Sequence, residues 1–396
     1  MTALLLRGGR PWGSPGTADI LVRDGRIADI APDLSAPDAD VVDVPGLLVL
    51  PGLIDAHTHL DKSLWGRPWE PHSAGPALAD RIANDLRRRQ ELGLPDADAV
   101  TALLEHMAAL GTTHVRTHTD VDPEVGLRGI DAVADAAARL DGRITVEQVA
   151  FPQHGLLSRP GTADLLDEAL RRGIPTLGGI DPAGTDRDPV GSLRLTFELA
   201  RRHDAGVDIH LHDGGTLGTF EFELICEHTV AAGLQGRVTI SHGYAFGEAA
   251  PERQRALAAM MADAGVAFST CAVYSFPVPP PPLLAQAGVT LALGNDGIRD
   301  LWGPYGTADM LERAMHLAYR TVARRDQDME LALHAATDGA AKALGLTDHG
   351  LRAGARADLV VVRAATAAEA IAVRPPRALV LKNGRIVARD GKLLPR

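Results

Sequence analysis

Only two cysteines, Cys226 and Cys271, occur in the 396 residues, and neither belongs to a CxxC pair. That excludes a disulfide framework and a cysteine-based zinc knuckle, and it leads us to expect a protein of the reducing cytoplasm. Long apolar runs are also missing: no stretch reaches the ~18 residues of a membrane helix. The opening segment, residues 1–13, carries only a short apolar piece at residues 3–6 before Arg7, too little for a secretory signal. A basic excess is absent, with 40 Lys and Arg against 51 Asp and Glu and a formal net charge of −11. A nucleic-acid partner is therefore not expected, because its footprint would be a basic patch. No low-complexity tract interrupts the chain. At this length two or three domains, or one larger α/β barrel, are the alternatives.

What is present is a β-rich segment at each end and an alternating centre. Near the start, ADILVRDGRIADIAP reads as two strands about Asp24-Gly25. Near the end, ADLVVVRA and ALVLKNGRIVARDGKLL carry Asn383-Gly384 and Asp390-Gly391, which are hairpin-turn dipeptides. The pattern predicts a small β-sandwich assembled from residues 1–50 and 345–396. Between them, strands are expected at 53–60, 113–120, 143–151, 176–180, 207–213, 238–243, 266–272 and 290–296. Helical stretches between them include 97–110, 161–172, 192–205, 219–233 and 250–264. Strands alternating with helices pair in parallel, and eight such units close a (β/α)8 barrel, here over residues 51–344. Residues 61–82, with Trp65 and Trp69, and the proline-rich segment around Pro277 and 279–282 are the long connections, and long connections are often lids. Lys62 reads as part of the first of these loops.

Four short segments stand at the ends of apolar strands: His57-Thr58-His59, His210-Leu211-His212-Asp213, Ser241-His242-Gly243 and Gly294-Asn295-Asp296. Side chains alternate along a strand, so His57 and His59 project from one side. In a parallel barrel the C-terminal strand ends carry the chemistry. Imidazoles and a carboxylate converging there would be costly without a compensating ion. The set is suited to one divalent metal with a position left for water, and hence to a metallohydrolase. His118, Asp120 and Gln153 also fall at strand ends.

The stretch PGLIDAHTHLDK, together with the terminal β elements, resembles the amidohydrolase superfamily. HVRTHTD, VAFPQHG, SHGYAF and LGNDGIRDLWGPYGTADML resemble its cytosine deaminase-like branch. The resemblance implies a distorted TIM barrel with a flanking β-sandwich and one catalytic zinc or iron. It implies His57, His59, His210 and Asp296 as ligands, with Asp296 also taking the proton of the attacking water. It implies His242 as the group that polarises the resulting hydroxide and Gln153 as a contact to an amide-like ring edge. The fourth strand, Thr176–Ile180, has no lysine to carry a carbamate bridge, which favours one metal over two. Trp302, His118 and Asp120 are further candidates for substrate contact, His118 and Asp120 alternatively for supporting the ligands from behind.

The resemblance breaks at the proton shuttle. The branch places a glutamate three residues after the fifth-strand histidine; here Asp213 stands there, preceded by His212. Aspartate is shorter by one carbon–carbon bond, about 1.5 Å, and a ~1 Å misplacement can cost a hundredfold in rate. Asp213 is the expected shuttle, with His212 as a substrate or supporting contact; His212 could also share the proton work. The expected activity is hydrolysis of an exocyclic C–N bond of a small N-heterocycle such as a pyrimidine or triazine. The alternatives are a cyclic-amide hydrolase and a catalytically silent binding protein. The expected partner is a small molecule, not nucleic acid or membrane, and the resemblance also allows a homo-oligomer.

Overall fold

The computed structural model describes residues 3–75 and 78–395. Eight parallel strands lie side by side in chain order: Leu53–Thr58, Thr112–Asp120, Thr145–Phe151, Thr176–Ile180, Gly206–Leu211, Val238–His242, Val266–Thr270 and Leu291–Leu293. The ring is drawn together where the Asp296 amide donates to the His57 carbonyl at 2.9 Å, beside the Thr58–Asp296 bridge. Helices run between the strands, among them Ala97–Ala109, Thr162–Arg171, Pro189–Arg202, Gly215–Ala232 and Pro251–Asp263. The barrel is distorted: its last strand has three residues and the register between its first two strands shifts twice.

Strand parity explains where the polar residues go. In the fifth strand Val207, Ile209 and Leu211 pack outward into the main core with Leu193, Phe197, Phe222 and Leu257 of the surrounding helices. Each such fully buried aliphatic side chain contributes about 2 kcal/mol. The alternate residues Asp208 and His210 are thereby turned into the barrel. The first strand follows the same rule, with Ile54 and Ala56 in an outer apolar cluster and Asp55 and His57 on the other side. The interior is thus a stack of acids and imidazoles.

Strands from both ends of the chain form one nine-stranded sheet. Ala3–Pro11 shifts register between Leu6 and Gly9, pairing Ala39–Asp43 on one side of the shift and Leu48–Pro51 on the other. The two halves enclose a shared core of Leu4, Ile20, Val49, Leu359, Val361 and Leu381. All three expected turns occur, with positive φ at both central residues: Asp24-Gly25, Asn383-Gly384 and Asp390-Gly391. That is the backbone of type I′ hairpins. Among the described residues no helix is long and apolar enough to cross a membrane.

The first long connection differs from expectation. Residues 61–75 pass over the barrel and lead to a helix, Leu78–Glu91, that the sequence pattern did not predict; Pro76 and Ala77 lie outside the described residues, as do the first two residues of the opening segment. Half of this helix is charged, and the apolar stripe in its sequence is confined to Leu78, Ile82 and Leu86. Arg89 anchors it by donating to Asp120 and Asp122, both at the end of the second strand.

Candidate active site

The first, fifth, sixth and eighth strand ends bring His57, His59, His210, His242 and Asp296 to one point. The His59 and His210 Nε2 atoms are 3.3 Å apart, and His59 Nε2 is 3.4 Å from Asp296 Oδ1. Donor atoms of His57, His59 and Asp296 lie within 4.8 Å of one another, as do those of His57, His210 and His242. The two groups share His57. His242, at φ 67°, and Asp296, at φ 65°, both adopt the left-handed backbone region. Non-glycine residues held there cost energy and cluster at functional sites.

The hydrogen bonds behind the rings fix which nitrogens face inward. His59 Nδ1 donates to the His118 carbonyl at 3.1 Å, which leaves Nε2 as a lone pair. Ser241 Oγ donates to Asp208 Oδ1 at 2.6 Å, so His57 Nδ1, 3.0 Å from Ser241 Oγ, donates to the serine oxygen. His57 Nε2 is then a buried lone pair with no partner. Burial, reinforced by the neighbouring imidazoles, holds His57 and His210 well below the usual histidine range; burial and Lys62 lower His59. The rings are neutral, as metal ligands must be. Asp296 is held ionised: burial would raise it, but the facing histidines His59, His242 and His212 outweigh that. An orphaned lone pair, two facing ring nitrogens and an ionised carboxylate are what a divalent cation would satisfy, and the chain therefore offers a metal site here.

This cluster forms one end of a cavity of about 740 Å3. His212 faces it. Its Nδ1 is 2.8 Å from Asp181 Oδ2, and its backbone amide donates to Asp181 Oδ1. Burial works against its proton, but the Asp181 carboxylate raises it above the usual histidine value. Asp213 does not line the cavity. Its carboxylate accepts the Gly184 amide at 2.7 Å, and burial and the Asp181 carboxylate raise it. His242 has both ring nitrogens buried without partners, and burial together with His212 lowers it to about 3.

The opposite wall holds a residue the sequence reading put in a loop. Lys62 is fully buried; its Nζ donates to Asp120 Oδ1 at 2.9 Å and to Gln153 Oε1 at 2.7 Å. Burial opposes its charge, yet Asp120, Asp61 and Asp85 keep it protonated. With its oxygen taken by Lys62, Gln153 has its amide N–H groups left to offer. Trp302 lines the cavity with a buried, unpartnered Nε1. His118 and Asp120 do not line it. His118 lies behind His57, ring centroids 4.0 Å apart, with Nε2 3.3 Å from Asp208, and Asp120 serves Lys62 and Arg89. Sequence reasoning missed Lys62, Asp181 and Asp300, a buried cavity-lining carboxyl raised by burial to about 7. The position of Lys62, three residues after His59, was the available signal. Both cysteines are buried and free, and burial raises their thiols.

Residues 95–388 match the model of the amidohydrolase family. The chain belongs to the amidohydrolase family. With membership come the enzyme class, a hydrolase of carbon–nitrogen bonds other than peptide bonds, and the metal dependence general to the family. N-isopropylammelide isopropyl amidohydrolase of Pseudomonas sp. strain ADP is 33% identical over 384 residues, 94% of each chain. Among solved structures, N-isopropylammelide isopropylaminohydrolase from Burkholderia multivorans ATCC 17616 superposes with a TM-score of 0.95 at 45% identity, covering 100% of both chains. The 5-methylcytosine deaminase of Klebsiella pneumoniae, liganded with 5-fluorocytosine, superposes at 0.86 with 25% identity, covering 100% of this chain and 99% of that one.

Proposed function

We propose that this amidohydrolase removes the exocyclic amine of a small N-heterocycle, an oxygenated triazine or pyrimidine, with one bound zinc or iron ion. The observation that carries the reading is the junction of two halves in one cavity. One half is the neutral imidazole set with its orphaned lone pair, and the other is the buried Lys62–Gln153 pair of donors. The relatives named above act on an N-alkylated triazine and on a cytosine, and both substrates have ring carbonyls that such donors would hold.

His57, His59, His210 and Asp296 would hold the ion, and nitrogen and oxygen ligands suit zinc or iron. When bound, the ion supplies an acidic water and an electrophile. The chain does the rest. Lys62 and Gln153 bind and orient the ring oxygens, and Trp302 bounds the ring pocket. Asp296 accepts a proton from the attacking water, and His242, neutral and unpartnered, stands beside it as a hydrogen-bonding group. His212 is positioned by Asp181 to deliver a proton to the leaving nitrogen. One C–O bond forms, one C–N bond breaks, and the proton taken from water leaves on the amine. This gives the shuttle role to His212 in place of Asp213, whose carboxylate accepts the Gly184 amide and does not line the cavity. The buried free thiols are in keeping with a cytoplasmic protein.

The test is incubation of the zinc- or iron-loaded protein with amino-substituted triazines and pyrimidines. Mass spectrometry and amine detection should show amine release with the ring intact. A ring-opened product would make it a cyclic-amide hydrolase instead, and no turnover on any member would reduce it to a binding protein.

A further inference from the structure

The chain contains only four tyrosines, and all four, Tyr244, Tyr274, Tyr305 and Tyr319, line the cavity described above. Three of them serve no core. Tyr274 is 56% exposed, Tyr305 71% and Tyr319 81%, and Phe276 beside them is 39% exposed. Exposed rings gathered at one cavity mouth mark a binding surface.

Their arrangement is continuous with the reaction centre. The Tyr244 ring lies 5.5 Å from that of His212 and 5.6 Å from that of His242, between centroids. Tyr244 stacks on Phe276 at 4.6 Å and 17°. Phe276 meets Tyr274 edge-on at 6.2 Å, and Tyr274 meets Tyr305 at 6.1 Å. A ladder of four rings thus starts beside His242 and His212, the latter the group given to the leaving nitrogen, and ends in solvent. The ladder is built, not incidental. Ala272 and Tyr274 both hold positive φ, at 47° and 48°. Arg320 clamps the segment from behind by donating to the carbonyls of Val273, Tyr274 and Phe276. Gly303 makes room for the Tyr274 hydroxyl, which a Cβ there would meet at 2.3 Å. The cavity volume of about 740 Å3 is also within the range that holds drug-sized ligands.

We infer that the departing amine carries an aryl or arylalkyl substituent, which lies along the Tyr244–Phe276–Tyr274–Tyr305 ladder. The inference rests on the proposed aminohydrolase reading and adds the class of leaving group. Planar rings favour offset and edge-on neighbours, both of which this wall offers. Aromatic residues also present large contact area at little conformational cost.

The experiment uses one dioxo-triazine whose exocyclic nitrogen carries hydrogen, isopropyl or benzyl. kcat/KM is measured by amine release, and affinity by calorimetry. Benzyl should exceed isopropyl by about tenfold or more, since even one methylene in an apolar pocket is worth about that much. In Tyr274→Ala and Tyr305→Ala the benzyl-to-isopropyl ratio should fall several-fold in both readouts. A flat or falling series in the wild type overturns the inference, whatever the absolute rates. So does a sedimentation result in which Tyr305→Asp dissociates a dimer, because the rings would then cover a second copy of the chain. Tight binding of the benzyl compound with no amine released would leave the ladder standing and sink the aminohydrolase reading instead.

Discussion

Replacing Glu221 by Gln should leave the protein folded and alter how its stability depends on pH. Glu221 sits in the helix Gly215–Ala232, is 0% exposed, and accepts the Ala183 amide at 2.8 Å. Burial, with the Asp213 and Asp181 carboxylates nearby, raises it from 4.5 to about 8. The native protein therefore holds this proton between those two values, whereas the unfolded chain has lost it. Stability falls as pH rises across that window. The full change of about 3.5 units corresponds to roughly 5 kcal/mol at 1.36 kcal/mol per unit. Between about pH 5.5 and pH 8.5 the part traversed is roughly 3 kcal/mol. Glutamine mimics the neutral acid, keeping an oxygen for the Ala183 amide, and carries no such dependence.

The assay is equilibrium urea unfolding of both proteins at the two pH values. The variant should gain roughly 3 kcal/mol on the wild type between acid and alkaline conditions. Equal pH dependence in the two would refute a Glu221 held protonated by burial.

Ser241→Ala should weaken zinc binding about 10–100-fold, measured by chelator competition, because His57 loses the acceptor that orients it; affinity within twofold of wild type would count against that role. His212→Asn should lower kcat by about a hundredfold or more while leaving bound metal near stoichiometric, and Asp213→Asn should have the smaller effect on kcat; the reverse order would return the shuttle to Asp213. Lys62→Met should raise KM for an oxygenated ring at least tenfold, since it removes a charge-assisted hydrogen bond, and unchanged KM would remove Lys62 from substrate binding. Asp296→Ala should abolish turnover and lower metal content, read by elemental analysis; near-normal turnover would contradict both of its proposed roles.

Much of the fold was legible because its signals are local. The fourth strand occupies Thr176–Ile180 as read, and the three turns fall on the dipeptides that tolerate positive φ. The His57–His59 pair was legible because strand alternation alone puts both rings on one side. What could not be read depends on contacts between distant segments. Lys62 is a core cation only because Asp120 and Gln153, from the second and third strand ends, meet it. The helix Leu78–Glu91 carries a short apolar stripe in its sequence, Leu78, Ile82 and Leu86, but its Arg89 is neutralised by Asp120 and Asp122 of the second strand end and not by its own neighbours. The ring ladder is scattered over residues 244–305 and becomes a surface only when the sixth, seventh and eighth strand loops converge.

The choice between His212 and Asp213 shows how a local rule can outrun a family pattern. The fifth strand ends at Leu211, so hydrogen bonding to neighbouring strands no longer enforces alternation at the next two residues. Alternation nevertheless persists for one more residue. The His212 amide donates to Asp181 at the end of the fourth strand, which keeps its backbone in line with the sheet and its ring on the same side as His210. Asp213 also bonds that carboxylate through its amide, at 3.2 Å, but its side chain turns back to the 181–186 loop and Glu221. Asp181 thus does two things at once: it continues the strand by one residue, and it supplies the charge that keeps a proton on His212. A glutamate three residues after His210 would need a different fourth-strand loop to reach the cavity. Because Asp181 binds both the backbone and the ring of His212, Asp181→Asn should impair His212 more than a loss of charge alone would. kcat should fall toward that of His212→Asn, and combining the two substitutions should add little, as expected for residues acting as one unit.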